Sequence, residues 1–319
     1  MIPDTGNATN LPNPGRSTSE SRSYVAVDWG TSSFRLWRLA AGGEVLDRAA
    51  GPFGMAGLPK DGFGRVLEEQ LARLSVSKNV PVIICGMAGA AQGWCEAPYI
   101  QAPTELSQLG SGAVRVPGHE REVHILPGVM QAKPCNVMRG EETQILGLVD
   151  VRPDYNGIVC LPGTHTKWVQ VRDGRIEHFT TCMTGEIFSL LCNHSVLKHS
   201  TVGGGWDSCA FLEAVAQVAS APASLADSLF KLRAEMLLEH LSSSTARARL
   251  SGMLVGIELA ATRSYWAEGA VALIGESSLC HNYEVALASN SVAVELLDSE
   301  AMTLGGLASA FRQLEGPHE

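Results

Sequence analysis

Three absences narrow the field before any motif is considered. The eight cysteines (Cys85, Cys95, Cys135, Cys160, Cys182, Cys192, Cys209 and Cys280) contain no C-x-x-C pair, which excludes the common zinc and thioredoxin-like spacings. There is no surplus of positive charge: 24 Lys and Arg stand against 33 Asp and Glu, a formal net charge of −9. Nucleic acid and anionic membrane surfaces both need a basic footprint, so neither is expected as a partner. No apolar run is long enough to cross a bilayer. Residues 1–22 are rich in Pro, Asn, Ser, Thr and Gly and lack an apolar core, so they read as a disordered tail and not a signal peptide. A reducing cytoplasmic location is expected, where Cys85 and Cys160, set inside apolar runs, act as small hydrophobes.

What the chain does hold is apolar material. Its 319 residues are 45% hydrophobic and 18% charged, enough for two ordinary globular domains, each with its own core. A small metabolite is the expected partner. A phosphorylated nucleotide is compatible with the acidity, because backbone amides, a metal and a few local side chains can hold it.

One pattern occurs twice. An apolar run ending at Asp28 breaks into Gly30-Thr31-Ser32-Ser33, resumes through residues 34–39, turns at Gly42-Gly43 and returns. At an offset of 133, the run 157–161 breaks into Gly163-Thr164-His165-Thr166, resumes through 167–171, turns at Asp173-Gly174 and returns. Each copy reads as strand, Gly-Thr turn, strand, Gly hairpin, strand. Intramolecular duplication with a cleft between the halves follows, the boundary falling at residues 151–156. The copies differ in one respect: the position of Asp28 is Leu161 in the second.

Between and after the hairpins, helical spacing is read over 61–74, 186–197, 208–219, 225–241, 251–266 and 301–314. Strands are read at 80–85, 122–126, 271–274 and 285–287. Residues 203–207, Gly-Gly-Gly-Trp-Asp, read as an exposed loop. Aromatic residues make up only 6% of the chain, yet Trp94 and Tyr99 share one short loop with Glu96 after the turn Gly86-Met87-Ala88-Gly89. In α/β proteins such loops at strand ends hold ligands.

Each candidate carries an ordinary structural reading beside the chemical one. Gly-Thr turns can be plain hairpin punctuation, or their amides and hydroxyls can bind phosphate. Asp28 can cap its turn, or organise Mg²⁺ through water; its loss in the second copy favours the metal, since a purely structural cap would be needed twice. Glu141 and Glu142 can be solvated acids favoured in a helix's first turn, or one can deprotonate an acceptor hydroxyl. Adjacent helical residues diverge by about 100°, so at most one faces a cleft directly. Arg139 can be a surface charge, or grip a carboxylate bidentately. His165 and Lys167 can simply be exposed, and Trp94, Glu96 and Tyr99 can be a packed loop with one solvated acid.

Together these strings resemble a known group. Asp28-Trp29-Gly30-Thr31-Ser32 and residues 161–168, Leu-Pro-Gly-Thr-His-Thr-Lys-Trp, are similar to the two phosphate motifs of the actin-like ATPase and sugar kinase superfamily. Residues 85–89, 93–99, 138–144, 162–168, 183–186 and 251–256 resemble, more narrowly, the 2-dehydro-3-deoxygalactonokinase family, over about residues 23–310. The resemblance implies an α/β chain of two ribonuclease-H-like domains, 23–150 and 151–319, with an interdomain cleft. It implies ATP and Mg²⁺ as cofactors and phosphorylation of the terminal C6 hydroxyl of 2-dehydro-3-deoxy-D-galactonate, in sugar-acid catabolism. In related sugar kinases an acidic base opens a helix shortly before the second phosphate turn, and Glu141 stands 22 residues before Gly163. Glu141 is thus the first choice as base, with Glu142 in reserve and Arg139 beside them. Gly30, Thr31, Ser32, Gly163, Thr164, His165 and Lys167 would contact phosphates, and Asp28 the metal. Met87, Trp94, Glu96 and Tyr99 would shape the sugar-acid site. The superfamily's adenosine motif is a Gly-Gly pair opening a late helix; Gly275 supplies one glycine, and Gly305-Gly306 a pair near the chain end.

Two other readings stay open: another enzyme on the same scaffold (a kinase for a different acid such as the gluconate epimer, or a phosphatase acting on phosphate chains), and a non-enzymatic nucleotide-switched module. Whether the chain forms a homodimer is also open.

Overall fold

In Tyr24-Val25-Ala26-Val27 no polar residue interrupts the alternation, as expected for a strand covered on both faces, and all four are buried. The computed structural model describes residues 22–316; the tail expected at 1–22 lies, Arg22 apart, outside them. In chain order the strands are β1 (Tyr24–Trp29), β2 (Phe34–Leu39), β3 (Val45–Gly51), β4 (Val82–Gly86), β5 (Tyr99–Gln101), β6 (Thr104–Glu105), β7 (Val114–Arg115), β8 (Val123–Ile125), β9 (Gly128–Ala132), β10 (Cys135–Met138), β11 (Gly157–Leu161), β12 (Thr166–Arg172), β13 (Arg175–Cys182), β14 (Val271–Gly275) and β15 (Val294–Asp298). The helices are α1 (Gly62–Arg73), α2 (Glu141–Val151), α3 (Thr184–His194), α4 (Ser208–Ser220), α5 (Leu225–Leu238), α6 (Ser243–Ala261), α7 (Arg263–Trp266), α8 (Ser277–Ala288) and α9 (Ser299–Glu315).

The duplicated hairpin is real in three dimensions. One six-stranded sheet runs β3-β2-β1-β4-β8-β7 and the other β15-β14-β11-β12-β13-β6. In each, an antiparallel meander is extended by parallel strands, β4 and β8 beside β1, β14 and β15 beside β11. A third, three-stranded sheet joins β10, β9 and β5. Cross-strand register refines the repeat: Asp28 pairs with Arg35, whereas Leu161 pairs with Lys167, so the second turn is one residue shorter.

Strand alternation assigns the faces. Val25, Val27 and Trp29 meet Phe63, Val66, Leu67 and Leu71 of α1 in one cluster. Tyr24 and Ala26 point the other way, into a core shared with Val159 and Leu161 of the second sheet and filled by Ile145, Leu148, Leu307 and Phe311 of α2 and α9. Helices α2 and α9 therefore lie where the two sheets meet. They cross closely: a Cβ on Gly306 would stand 1.8 Å from Thr143 O. The Gly305-Gly306 pair is thus mid-helix packing in α9 and does not open a helix. The far face of the second sheet is covered by α4, α6 and α8.

Two sequence readings need correction. Residues 285–287 are not a strand but the end of α8, whose buried residues Cys280, Tyr283, Ala286 and Leu287 keep helical spacing. The strand of this region is β15, whose partly exposed, mixed residues Val294–Asp298 mark a sheet edge and hide its apolar signal. The single helix read at 251–266 begins earlier, at Ser243, and breaks at Thr262 into α6 and α7. Among the described residues no single helix is long and apolar enough to cross a membrane.

Candidate active site

The ends of β1, β4 and β11 and the start of α2 converge on one place. Gly140 makes this possible: it precedes α2 with φ 112°, a conformation that favours glycine, and a Cβ on it would stand 3.4 Å from Gly86 Cα at the end of β4. The two acids that open α2 then diverge, as the helical geometry requires. Glu141 remains partly exposed, accepts from Arg139 N at 3.0 Å and pairs with Lys167 Nζ at 2.9 Å. Glu142 is 1% exposed and accepts from Gly140 N at 2.8 Å and from Thr143 Oγ1 at 3.2 Å. Burial, reinforced by the charge of Glu141, pushes the Glu142 carboxyl from its ordinary 4.5 up to about 7.

Lys167, expected as an exposed or phosphate-contacting residue, is 4% exposed and also donates to His165 O at 2.9 Å. Its register explains its partner. In the first sheet the equivalent Arg35 meets the cross-strand carboxylate of Asp28 at 2.6 Å. In the second, Leu161 offers no charge, and the ammonium reaches Glu141 on the other half of the chain instead.

Asp28 itself lies at the end of β1, with one oxygen in the Arg35 pair and the other, among the described residues, accepting a long 3.8 Å contact from the Cys85 thiol. Among the described residues no cluster of three or more His, Cys, Asp or Glu could coordinate a metal directly. One underused carboxylate fits magnesium that arrives on phosphates and keeps most of its water. Thr31 and Ser32 are exposed in the first turn, which Gly30 N closes on Ser33 O at 2.9 Å. In the second turn Thr164 and His165 are exposed, and His165 Nε2 lies 2.5 Å from Glu186 Oε2 of α3.

Arg139 stacks on the Tyr99 ring at 4.3 Å and donates through Nη2 to Ala97 O at 2.9 Å. Its Nε and Nη1 are buried with no acceptor among the described residues. Glu96 and Tyr99 are exposed beside it, and Met87 is half-buried in the turn after β4. Trp94 is used differently: its ring stacks on Phe63 and meets Trp29 and His119 edge-on, anchoring the loop to the core of the first sheet.

A cavity of about 470 Å³ opens beside Gly163, walled by α3, α6 and α8 and including Thr184, Trp206, Ser251, Ser278 and Asn282. Gly275 does not line it. A Cβ there would meet Pro162 O and Cys280 Sγ, both at 3.0 Å, so Gly275 lets α8 start tight against the second turn. Sequence reasoning gave these cavity residues no role: Thr184 and Ser251 stood only within strings that carried the resemblance, Trp206 only in an exposed loop, and Ser278 and Asn282 carry no signal of their own. It also missed Glu258, a buried acid of α6 bonded by Trp168 Nε1 at 2.8 Å and Tyr283 OH at 2.9 Å. Desolvation raises its carboxyl to about 6.

Two matched β-meander sheets, turns open to phosphate and an acid pair at the start of the helix between them define a phosphotransferase of the actin-like ATPase and sugar kinase class. Comparison gives the family. The profile of the 2-keto-3-deoxy-galactonokinase family matches residues 28–310, and the chain belongs to that family. It is 41% identical over 299 residues to the probable 2-dehydro-3-deoxygalactonokinase of Rhizobium meliloti, covering 91% of this chain and 97% of that protein. It is 33% identical over 289 residues to the 2-dehydro-3-deoxygalactonokinase of Escherichia coli, covering 90% and 96%. A crystal structure from Sinorhizobium meliloti, described provisionally as a 2-dehydro-3-deoxygalactonokinase, superposes with a TM-score of 0.86 at 40% identity, covering 92% of this chain and all of that one. The Clostridium difficile activator of 2-hydroxyisocaproyl-CoA dehydratase, solved with bound ADPNP, shares the fold alone, at a TM-score of 0.50 and 12% identity over 92% of this chain and 96% of that one.

Proposed function

We propose that the chain transfers the γ-phosphoryl group of ATP to the C6 hydroxyl of 2-dehydro-3-deoxy-D-galactonate, as a cytoplasmic kinase. The observation that carries the reading is the Glu141–Lys167 pair, which sets a carboxylate beside the second phosphate-type turn, within a family named for this activity.

The nucleotide base and ribose occupy the cavity at the start of α8, and the phosphates follow Gly163, Thr164 and His165 toward Lys167, Gly30, Thr31 and Ser32. Asp28 would hold magnesium through water, and the ion would offset charge on the phosphates. The buried, unpaired N–H groups of Arg139 call for an acceptor, and the sugar-acid carboxylate supplies it, with Met87, Glu96 and Tyr99 around the remainder and Trp94 supporting their loop. Glu141, the more accessible of the two acids, takes the proton of the C6 hydroxyl as its oxygen attacks the γ-phosphorus. The bond from that phosphorus to the bridging oxygen breaks, and ADP leaves. Closure of the two halves, 23–150 and 151–319, excludes water and so protects ATP from hydrolysis.

A coupled ADP-release assay across a panel of sugar acids tests the reading. Turnover with 2-dehydro-3-deoxy-D-galactonate above every other acid supports it. Faster turnover with another acid, or ADP release that no acid stimulates, refutes it.

A further inference from the structure

The buried Glu258 carboxylate takes no part in the proposed chemistry, yet four elements meet on it. It belongs to α6 and is 3% exposed. It accepts from Trp168 Nε1 of β12 at 2.8 Å, from Tyr283 OH of α8 at 2.9 Å, and from Thr184 Oγ1, the first residue of α3. Tyr283 OH lies 3.1 Å from Thr166 Oγ1, directly after the second Gly-Thr turn. Thr184 leads to that same turn from the other side. Its neighbour Gly185 is pressed so closely on the turn that a Cβ would stand 2.4 Å from Gly163 O, and Glu186 N donates to Thr164 O at 3.0 Å. Thr184, Gly185 and Tyr283 all line the 470 Å³ cavity.

Removing a carboxylate from water is costly, and an apolar side chain of similar size would often be neutral or stabilising at such a place. Stability alone therefore does not account for an acid here. What the acid does that an apolar side chain could not is accept three hydrogen bonds at once, from β12, α8 and α3. We propose that Glu258 is a positioning residue for the nucleotide: through Thr184 and Tyr283 it holds the Gly163–His165 turn and the facing cavity wall at the separation that binds base and phosphates together. This rests on the reading that the cavity takes the nucleotide.

The test is titration calorimetry with ADP and magnesium chloride on the full chain, beside steady-state kinetics and thermal melting. Glu258→Ala leaves the buried donors of Trp168 and Tyr283 and the partly buried hydroxyl of Thr184 without their acceptor, and ADP should bind about tenfold or more weaker, the equivalent of losing at least one buried hydrogen bond. The KM for the sugar acid should stay within about threefold of wild type, because the acid site draws on none of these residues. Glu258→Gln should restore ADP affinity to within about threefold, since its amide can accept from Trp168 and donate to the two rotatable hydroxyls. Unchanged ADP affinity in Glu258→Ala, with only the melting temperature lowered, would reduce the residue to a structural one and overturn the proposal. Should that variant not fold, Tyr283→Phe keeps the ring but removes the buried hydroxyl that joins Glu258 to Thr166; weaker ADP binding supports the proposal and unchanged binding overturns it. Wild-type protein that binds no ADP would sink the nucleotide reading itself, and the role of Glu258 with it.

Discussion

Lys167 Nζ lies 2.9 Å from Glu141 Oε1, joining the strand after the second Gly-Thr turn to the first residue of α2. The contact spans the two halves of the chain and exists because Leu161, opposite Lys167 in the sheet, offers no charge. It places a carboxylate beside the second Gly-Thr turn, as the proposed transfer to an acceptor hydroxyl requires. The two adjacent acids are thereby divided, Glu141 partly exposed in the pair and Glu142 buried.

The division is testable. Glu141→Gln should lower kcat by about 10²- to 10⁴-fold, the usual worth of a general base, with ADP affinity unchanged by calorimetry. Glu142→Gln should stay within about tenfold of wild type. If the larger loss falls on Glu142→Gln instead, the base is Glu142.

Asp28→Ala should lower turnover and raise the magnesium concentration needed for half-maximal rate, because the carboxylate that would hold the ion's water is gone. The variant also leaves Arg35 without its 2.6 Å partner, so Asp28→Asn, which keeps an acceptor, should be the better folded of the two. A magnesium titration that matches wild type in both variants would remove Asp28 from the metal.

Arg139→Lys keeps a charge but gives up the planar fork that stacks on Tyr99 and reaches Ala97 O. The KM for the sugar acid should rise about tenfold or more, while the KM for ATP holds steady. Steady-state kinetics with each substrate varied in turn separates the two; equal effects on both would argue that the guanidinium merely supports the fold.

The raised carboxyl of Glu142 makes stability depend on pH. It titrates at about 7 in the folded chain against an ordinary 4.5, so folding takes up a proton between these values. Its contribution is fully present below pH 4.5 and is lost as pH rises through 7, by about 3 kcal/mol. Glu258, raised to about 6, acts in the same direction. Glu142→Gln lacks this group, so its melting temperature relative to wild type should climb as pH rises from 5 to 8, on the order of several degrees. A difference that does not change with pH would contradict the burial of an ionisable group there.

Gly306→Ala would put a methyl 1.8 Å from Thr143 O, one residue beyond the two acids, and force α9 away from α2. A loss of about 1–3 kcal/mol is expected from overpacking, with activity falling alongside it because α2 carries Glu141. Thermal melting and kinetics on the same sample check both; a stable variant with low activity would show that the helices separate without unfolding.

Much of this architecture could be read from the chain before any coordinates. The strands of the repeated hairpin are mostly buried, and their Gly-Thr turns and glycine hairpins are local features, so β1, β2, β11 and β12 stand within a residue or two of the expected bounds. Local signals failed where burial was partial. Residues 285–287 look like a strand fragment but complete the buried stripe of α8, while the true edge strand Val294–Asp298 carries two exposed acids and too little apolar contrast. The family resemblance rested on contiguous strings, which a sequence displays in full.

Sequence alone determined the duplicated strand-turn-strand units, the missing counterpart of Asp28 at position 161, and the acids at 141 and 142, because spacing, turn chemistry and residue type are properties of neighbours along the chain. Tertiary structure alone decided which acid meets Lys167, that Trp94 is an anchor, that Gly306 is a helix crossing, and that Glu258 gathers donors from β12, α3 and α8. These are contacts between residues far apart in sequence, fixed by how two sheets pack around α2 and α9, and no local pattern encodes them.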